Sequence, residues 1–174
     1  MMRDYFLTTE RIAFSHWMTN DISLAQSLWG DPLVTVYISK TGQFSEVEID
    51  EKLTHEIQNQ QQFNVQYWPI FDKNTSAFIG CCGLRPYDLD HHIYEIGFHL
   101  KPEFWGIGLG SEAAKAVMKY AHSHIGAAKL FAGHNPNNKN SQKVLERLGF
   151  KSIGNEFYVP TGLYHPSYLY DCPS

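Results

Sequence analysis

One stretch constrains the fold of this chain more than any other: Glu95 to Ala114, reading EIGFHLKPEFWGIGLGSEAA. Its first six residues have the β-branched and aromatic content of a strand. Glycines at 106, 108 and 110 then force a turn, and the small apolar residues that follow open a helix. Without a Cβ, consecutive N–H groups can face a single point. Here they adjoin a helix N-terminus, whose dipole favours negative charge. Gly106, Ile107, Gly108, Leu109, Gly110 and Ser111 therefore form a candidate diphosphate cradle.

Such a cradle has competing readings. A Walker loop requires Gly-Lys-Ser/Thr, whereas Gly110 is followed by Ser111-Glu112. A dinucleotide fingerprint requires G-x-G-x-x-G in an early βαβ unit, whereas this G-x-G-x-G comes late in the chain. A plain strand-to-helix turn that binds nothing is the third reading, and the glycines alone leave it open.

The flanking sequence places the cradle in an alternating architecture. Residues 5–17 read as a first strand, and Asp21 opens a short helix that stops near Trp29-Gly30-Asp31-Pro32. Ser45 and Glu48 form a capping box, and Ile49, Leu53 and Ile57 follow at helical spacing, giving a helix to about Gln61. Strands are expected at Phe63–Phe71 and Ala77–Leu84, joined by a turn at Asp72–Thr75, and at Ile93–Leu100. Ala113, Val117, Ala121 and Ile125 predict an amphipathic helix over 110–125. Lys129–Gly133 reads as a strand, Ser141–Leu148 as a helix ended by Gly149, and 150–159 and 163–170 as closing strands. Gly97 inside its strand suggests a bulge. The whole is one domain over 1–174, a mixed sheet with helices on its faces.

Charge divides unevenly. Residues 101–151 hold eight basic and three acidic side chains, and the remainder six basic and fifteen acidic. A basic half suits a polyanionic ligand, and an acidic half, including Glu46, Glu48, Asp50 and Glu51, suits a cationic one. Nucleic acid is disfavoured, because the whole chain is acidic and carries no basic-aromatic stripe. No apolar run reaches the roughly 18–20 residues of a membrane span, and the first residues lack the apolar run of a signal peptide. The three cysteines form no disulfide framework, and adjacent Cys81 and Cys82 read as reduced, buried thiols. A cytoplasmic location is expected.

A second element follows the cradle: Asn138 and Ser141 at the start of a helix that closes on Leu148-Gly149-Phe150. With Thr9-Glu10-Arg11, Gly80-Cys-Cys-Gly83-Leu84, Tyr94-Glu95-Ile96-Gly97 and Trp105-Gly-Ile-Gly-Leu-Gly-Ser-Glu-Ala113, it gives five blocks in order over roughly residues 5–155. Together they resemble the GNAT N-acetyltransferase family, particularly its RimJ/RimL-type branch of ribosomal-protein N-terminal acetyltransferases. Where the family pattern begins with Gln or Arg, this chain has Trp105, a residue familiar in the RimJ-like branch.

The resemblance implies an α/β (α+β) fold with a mixed, mostly antiparallel central sheet of about seven strands flanked by helices. It also implies an acetyl-CoA-dependent N-acetyltransferase acting on a primary amine of a protein N-terminus or a small molecule, with no metal, and it allows a homodimer. On this reading Phe98, His99 and Leu100 bond the pantetheine arm through their backbone, and the amides from Gly106 to Ser111 hold the diphosphate. Asn138 either anchors the pantetheine or caps its helix. Glu95 is the first choice of base, directly or through water, with His99 as an alternative; Ser141 is the donor to the departing thiolate, or simply a helix-start residue. Tyr164 and Tyr168 are lesser donors. His122 and His124, two apart on a helix, make a poor metal pair, and no catalytic context supports Cys81 or Cys82 as a nucleophile. A non-catalytic acyl-CoA sensor of the same fold and a nucleotide-phosphate binder are the rival functions.

Overall fold

A computed structural model describes residues 3–174; Met1 and Met2, which begin the stretch read for a signal peptide, lie outside the described residues. The strands are β1 (Leu7–Thr8), β2 (Ile12–Phe14), β3 (Tyr67–Asp72), β4 (Phe78–Asp88), β5 (Ile93–Leu100), β6 (Lys129–Gly133), β7 (Lys151–Tyr158) and β8 (Leu163–Asp171). They form one eight-stranded sheet in the order β1-β2-β3-β4-β5-β6-β8-β7. The β5–β6 pair is parallel and every other neighbouring pair is antiparallel. The helices are α1 (Ile22–Trp29), α2 (Pro32–Thr35), α3 (Glu46–Phe63), α4 (Leu109–Tyr120) and α5 (Lys139–Arg147). A mixed, mostly antiparallel sheet with helices on its faces was the expected class. Among the described residues the strand count is eight instead of about seven, because the first expected strand divides in two.

That division has a local cause. The Thr9 hydroxyl donates to Glu112 Oε2 at 2.6 Å, and the Arg11 amide donates to the same oxygen at 3.0 Å. Reaching this partner on α4 turns the chain, and β2 folds back antiparallel on β1.

Other boundaries follow from capping. Ser45 Oγ accepts from the Glu48 amide at 3.1 Å while Glu48 accepts from the Ser45 amide at 3.2 Å, completing the capping box of α3. That helix runs two residues past the expected Gln61 and ends on Asn64 in the left-handed conformation. Its buried positions are Ile49, Leu53, Glu56 and Asn59, so the inward stripe drifts from the expected Ile57 onto two polar residues. β3 begins at Tyr67, four residues later than expected. β4 runs past Leu84 to Asp88, because Arg85 and Pro86 still pair with Glu95 and Tyr94 of β5. The expected bulge at Gly97 is absent, since its register with Gly83 of β4 is unbroken.

The sheet separates two hydrophobic clusters. One packs Leu109, Ala113, Val117 and Leu145 of α4 and α5 against Ile70, Leu84 and Leu130. The other packs Leu28, Trp29, Ile49 and Leu53 of α1 and α3 against Tyr67 and Phe71. Cys82 belongs to the first and Cys81 to the second, as strand alternation requires. Both are buried free thiols, and burial pushes Cys81 up to about 12. Among the described residues no helix is long and apolar enough to cross a membrane.

Candidate active site

β5 and β6 pair only at Ile93–Lys129, Tyr94–Leu130 and Glu95–Phe131, then part. The gap widens into a cleft of about 930 Å³. Its walls include Glu95, Phe98, His99, Leu100, Gly106, Gly108, Leu109, Gly110, Ser111, Asn138 and Ser141. Of the residues singled out in the sequence for catalysis or cofactor binding, Ile107 and the lesser candidates Tyr164 and Tyr168 are missing from the lining.

Backbone alternation decides which parts of β5 face this gap. The Lys101 amide donates to Ile79 of β4, and His92 accepts from Ala128 on the β6 side. Odd-numbered residues of β5 therefore bond toward β4, and even-numbered ones toward β6. The His99 backbone is turned toward Cys81, away from the cleft, contrary to the expectation that it lies beside those of Phe98 and Leu100. The Leu100 carbonyl is engaged by Trp105, whose indole Nε1 donates to it at 2.8 Å. Trp105 thus braces the start of the glycine loop against the end of β5.

Gly106 and Gly108 have φ of 76° and 82°, the left-handed region where a Cβ is strained. Gly110 lets α4 approach β5, since a Cβ there would come within 3.2 Å of the Phe98 ring. From Gly106 through Ser111 no amide finds an acceptor among the described residues; the first one used is Glu112, which donates to Gly108. These orphan donors fit an anion such as a diphosphate. Arg11 holds the loop from behind: its Nη1 donates to the Ile107 carbonyl at 2.8 Å and its Nε to Glu112 Oε1 at 2.7 Å. Burial works against the Glu112 charge, but hydrogen bonds from Thr9 and Arg11 outweigh it and hold the carboxyl below its usual range.

Glu95 projects into the cleft beside β4. Burial raises its carboxyl above the ordinary value, partly offset by the Arg85 charge and a hydrogen bond from Tyr67. The Tyr67 hydroxyl donates to Glu95 Oε1 at 3.2 Å, and the Arg85 guanidinium lies 3.8 Å above the Tyr67 ring. Arg85 in turn donates to Glu56 Oε1 from Nε and Nη2, and Glu56 Oε2 accepts from the Tyr67 amide at 2.6 Å. Gly97 makes this arrangement fit, since a Cβ there would stand 2.3 Å from the Tyr67 hydroxyl. Its surroundings disfavour His99 as a proton acceptor. Burial, then the Lys52 and Arg85 charges, push its imidazole well down, and Nδ1 already accepts from Trp29 Nε1 at 3.1 Å.

On the opposite wall the Asn138 side-chain oxygen caps α5, accepting from the Ser141 amide at 3.3 Å. Its side-chain nitrogen has no partner among the described residues, so the capping role leaves a donor for a ligand. Tyr164 is exposed, and Tyr168 is buried with its hydroxyl on His134 Nε2 at 3.1 Å; neither lines the cleft. Tyr158 and His134 line it instead. His122 and His124 are exposed, and among the described residues no group of three or more His, Cys, Asp or Glu is arranged to hold a metal ion.

Tyr67, Arg85, Glu56 and Lys52 were not marked by sequence reasoning. Ending β4 at Leu84 put Arg85 in a loop. The available signal was Glu56, a carboxylate three residues beyond Leu53 on the inward face of α3, which implies a buried cationic partner.

Comparison with known proteins bears on the family and the fold. The family model described as Acetyltransferase (GNAT) domain matches residues 11–151. Uncharacterized protein YkkB of Bacillus subtilis (strain 168) is 31% identical over 145 residues, 82% of this chain and 83% of its own. Uncharacterized N-acetyltransferase p20 of Bacillus licheniformis is 29% identical over 149 residues, 85% of this chain and 83% of its own. Among solved structures, the ribosomal L7/L12 alpha-N-protein acetyltransferase RimL in complex with coenzyme A aligns with a TM-score of 0.81. It covers 97% of this chain and 98% of that one at 16% identity, a likeness of fold.

Proposed function

Because this chain belongs to the GNAT acetyltransferases, we propose that it moves the acetyl group of acetyl-CoA directly to a primary amine, on a protein N-terminus or a small molecule. The observation that carries this reading is the run of orphan amides from Gly106 to Ser111, set on a cleft that also contains the burial-raised carboxylate Glu95.

Acetyl-CoA, when bound, supplies an activated thioester. The amides of the glycine loop hold its diphosphate. The cleft-facing backbone groups of Phe98 and the Leu100 amide bond the pantetheine and polarise the acetyl carbonyl. The side-chain nitrogen of Asn138 donates from the other wall. An amine must be neutral to attack, so Glu95 accepts its proton, directly or through one water. A thiolate leaving group with a pKa near 8.5 needs only a hydrogen-bond donor, the part given to the Ser141 hydroxyl. The reduced cysteines suit a cytoplasmic setting.

The test is incubation with acetyl-CoA and a broad amine panel, following release of the CoA thiol. Thiol release that requires an amine supports transfer. Tight CoA binding without turnover of any amine would make the chain an acyl-CoA sensor.

A further inference from the structure

At the acceptor end of the cleft, Lys52 of α3 stands between two rings, its Nζ 5.2 Å from the Trp29 ring and 4.8 Å from that of Phe44. Aromatic faces attract an ammonium but accept none of its three hydrogen bonds in the way an oxygen does. Glu56, one helical turn along, is already engaged by Arg85 and the Tyr67 amide. Among the described residues Lys52 forms no ion pair and no hydrogen bond through Nζ. Nζ is nevertheless not fully buried, and Lys52 is part of the cleft lining. The exposed acidic residues Glu46, Glu48, Asp50 and Glu51 of α3 do not line the cleft; the charged groups lining it around Glu95 are Lys52, Arg85 and Glu156, the last already accepting from the Tyr87 hydroxyl at 2.6 Å, while Glu56 is tied to Arg85 behind them.

We propose that Lys52, with Arg85 on the same wall, forms a subsite for an anionic oxygen group of the acceptor, a carboxylate or a phosphoryl, so that the substrate is an amine that also carries negative charge. This rests on the amine-acetylation reading and narrows its substrate class. Burial, then the Arg85 charge, bring Lys52 down to about 8, which still leaves the ammonium charged at neutral pH. An arriving anion supplies the acceptor that Nζ lacks, in a cleft where a charged pair is screened less than at the surface. The acidic outer surface, by contrast, says nothing about the group next to the amine.

Two matched pairs of acceptors test the subsite and separate its sources: β-alanine against β-alaninamide for a carboxylate, and O-phosphoethanolamine against ethanolamine for a phosphoryl. CoA thiol release should favour the charged member of at least one pair by about tenfold or more in kcat/KM. In Lys52→Met that ratio should collapse toward unity, and Lys52→Arg should retain most of it. Equal kcat/KM within both pairs, or a ratio unchanged in Lys52→Met, overturns the subsite. Should no amine be turned over, the amine-transfer reading fails. Calorimetric titration of O-phosphoethanolamine and β-alanine into CoA-saturated protein then decides the subsite alone. Saturable binding weakened about tenfold in Lys52→Met supports it, and no binding, or equal binding by both proteins, overturns it.

Discussion

Tyr67 donates its hydroxyl to Glu95 Oε1 across 3.2 Å, and that single contact joins the core of the sheet to the chemistry of the cleft. The tyrosine is buried, its ring carries the Arg85 guanidinium, and its hydroxyl occupies the space that Gly97 leaves open. The bond favours the ionised form of Glu95. In Tyr67→Phe the carboxyl should rise further, so the acid limb of the kcat/KM profile should move to higher pH. Stability should fall by about 1 kcal/mol, the usual net worth of one hydrogen bond. A pH–rate profile beside a denaturation curve reads both.

Glu95→Gln separates catalysis from folding. Removal of a general base costs about 10²-fold or more in kcat, while affinity for acetyl-CoA should hold. Stability should move the other way. Burial raises the Glu95 carboxyl, so ionising it at neutral pH costs folding free energy that a neutral amide avoids. The variant should therefore melt higher than the parent at neutral pH. That advantage should fade as pH falls through the raised value toward the ordinary carboxylate range, where both side chains are neutral. Thermal melts across pH, with acetyl-CoA titration, check the three claims.

Arg11 acts on the cofactor loop from outside the cleft. It fixes the Ile107 carbonyl and neutralises Glu112, the acidic residue in the first turn of α4. Arg11→Ala should leave that carboxylate to repel an incoming diphosphate. The KM for acetyl-CoA should rise about tenfold, the scale of one charge-assisted hydrogen bond, with a smaller change in kcat. Steady-state kinetics at varied acetyl-CoA distinguish this from a general loss of fold.

Gly108 is the N-cap of α4 at a φ of 82°. A β-branched residue there is strained by about 1–3 kcal/mol, and relief by rotating the loop would scatter the amides. Gly108→Val should abolish CoA binding while far-UV circular dichroism keeps the signature of the sheet. Unchanged affinity would count against the cradle.

Much of this was legible before any coordinates. The glycine loop, the capping box of Ser45 and Glu48, and the Asn138–Ser141 helix start are local signals, fixed by residues within one turn of each other. What escaped depends on pairings far apart in sequence. The Thr9-Glu10-Arg11 block was visible as a motif, but its purpose lies 101 residues away in the Arg11–Glu112 ion pair. Tyr67 and Arg85 acquire meaning only when β3 and β4 bring them beside Glu95. The three consecutive residues Phe98, His99 and Leu100 illustrate a different limit. A strand's backbone bonds alternate, so all three could not face one gap; the period was readable, but its phase required the register with β4.

The most direct measurement is a ¹⁵N amide NMR titration of the protein with coenzyme A and, separately, with pantetheine, which lacks the diphosphate. The amides from Gly106 to Ser111 should shift strongly with coenzyme A and little with pantetheine, while Phe98 and Leu100 respond to both. Shifts confined to another part of the surface, or a loop response of equal size to both ligands, would contradict it.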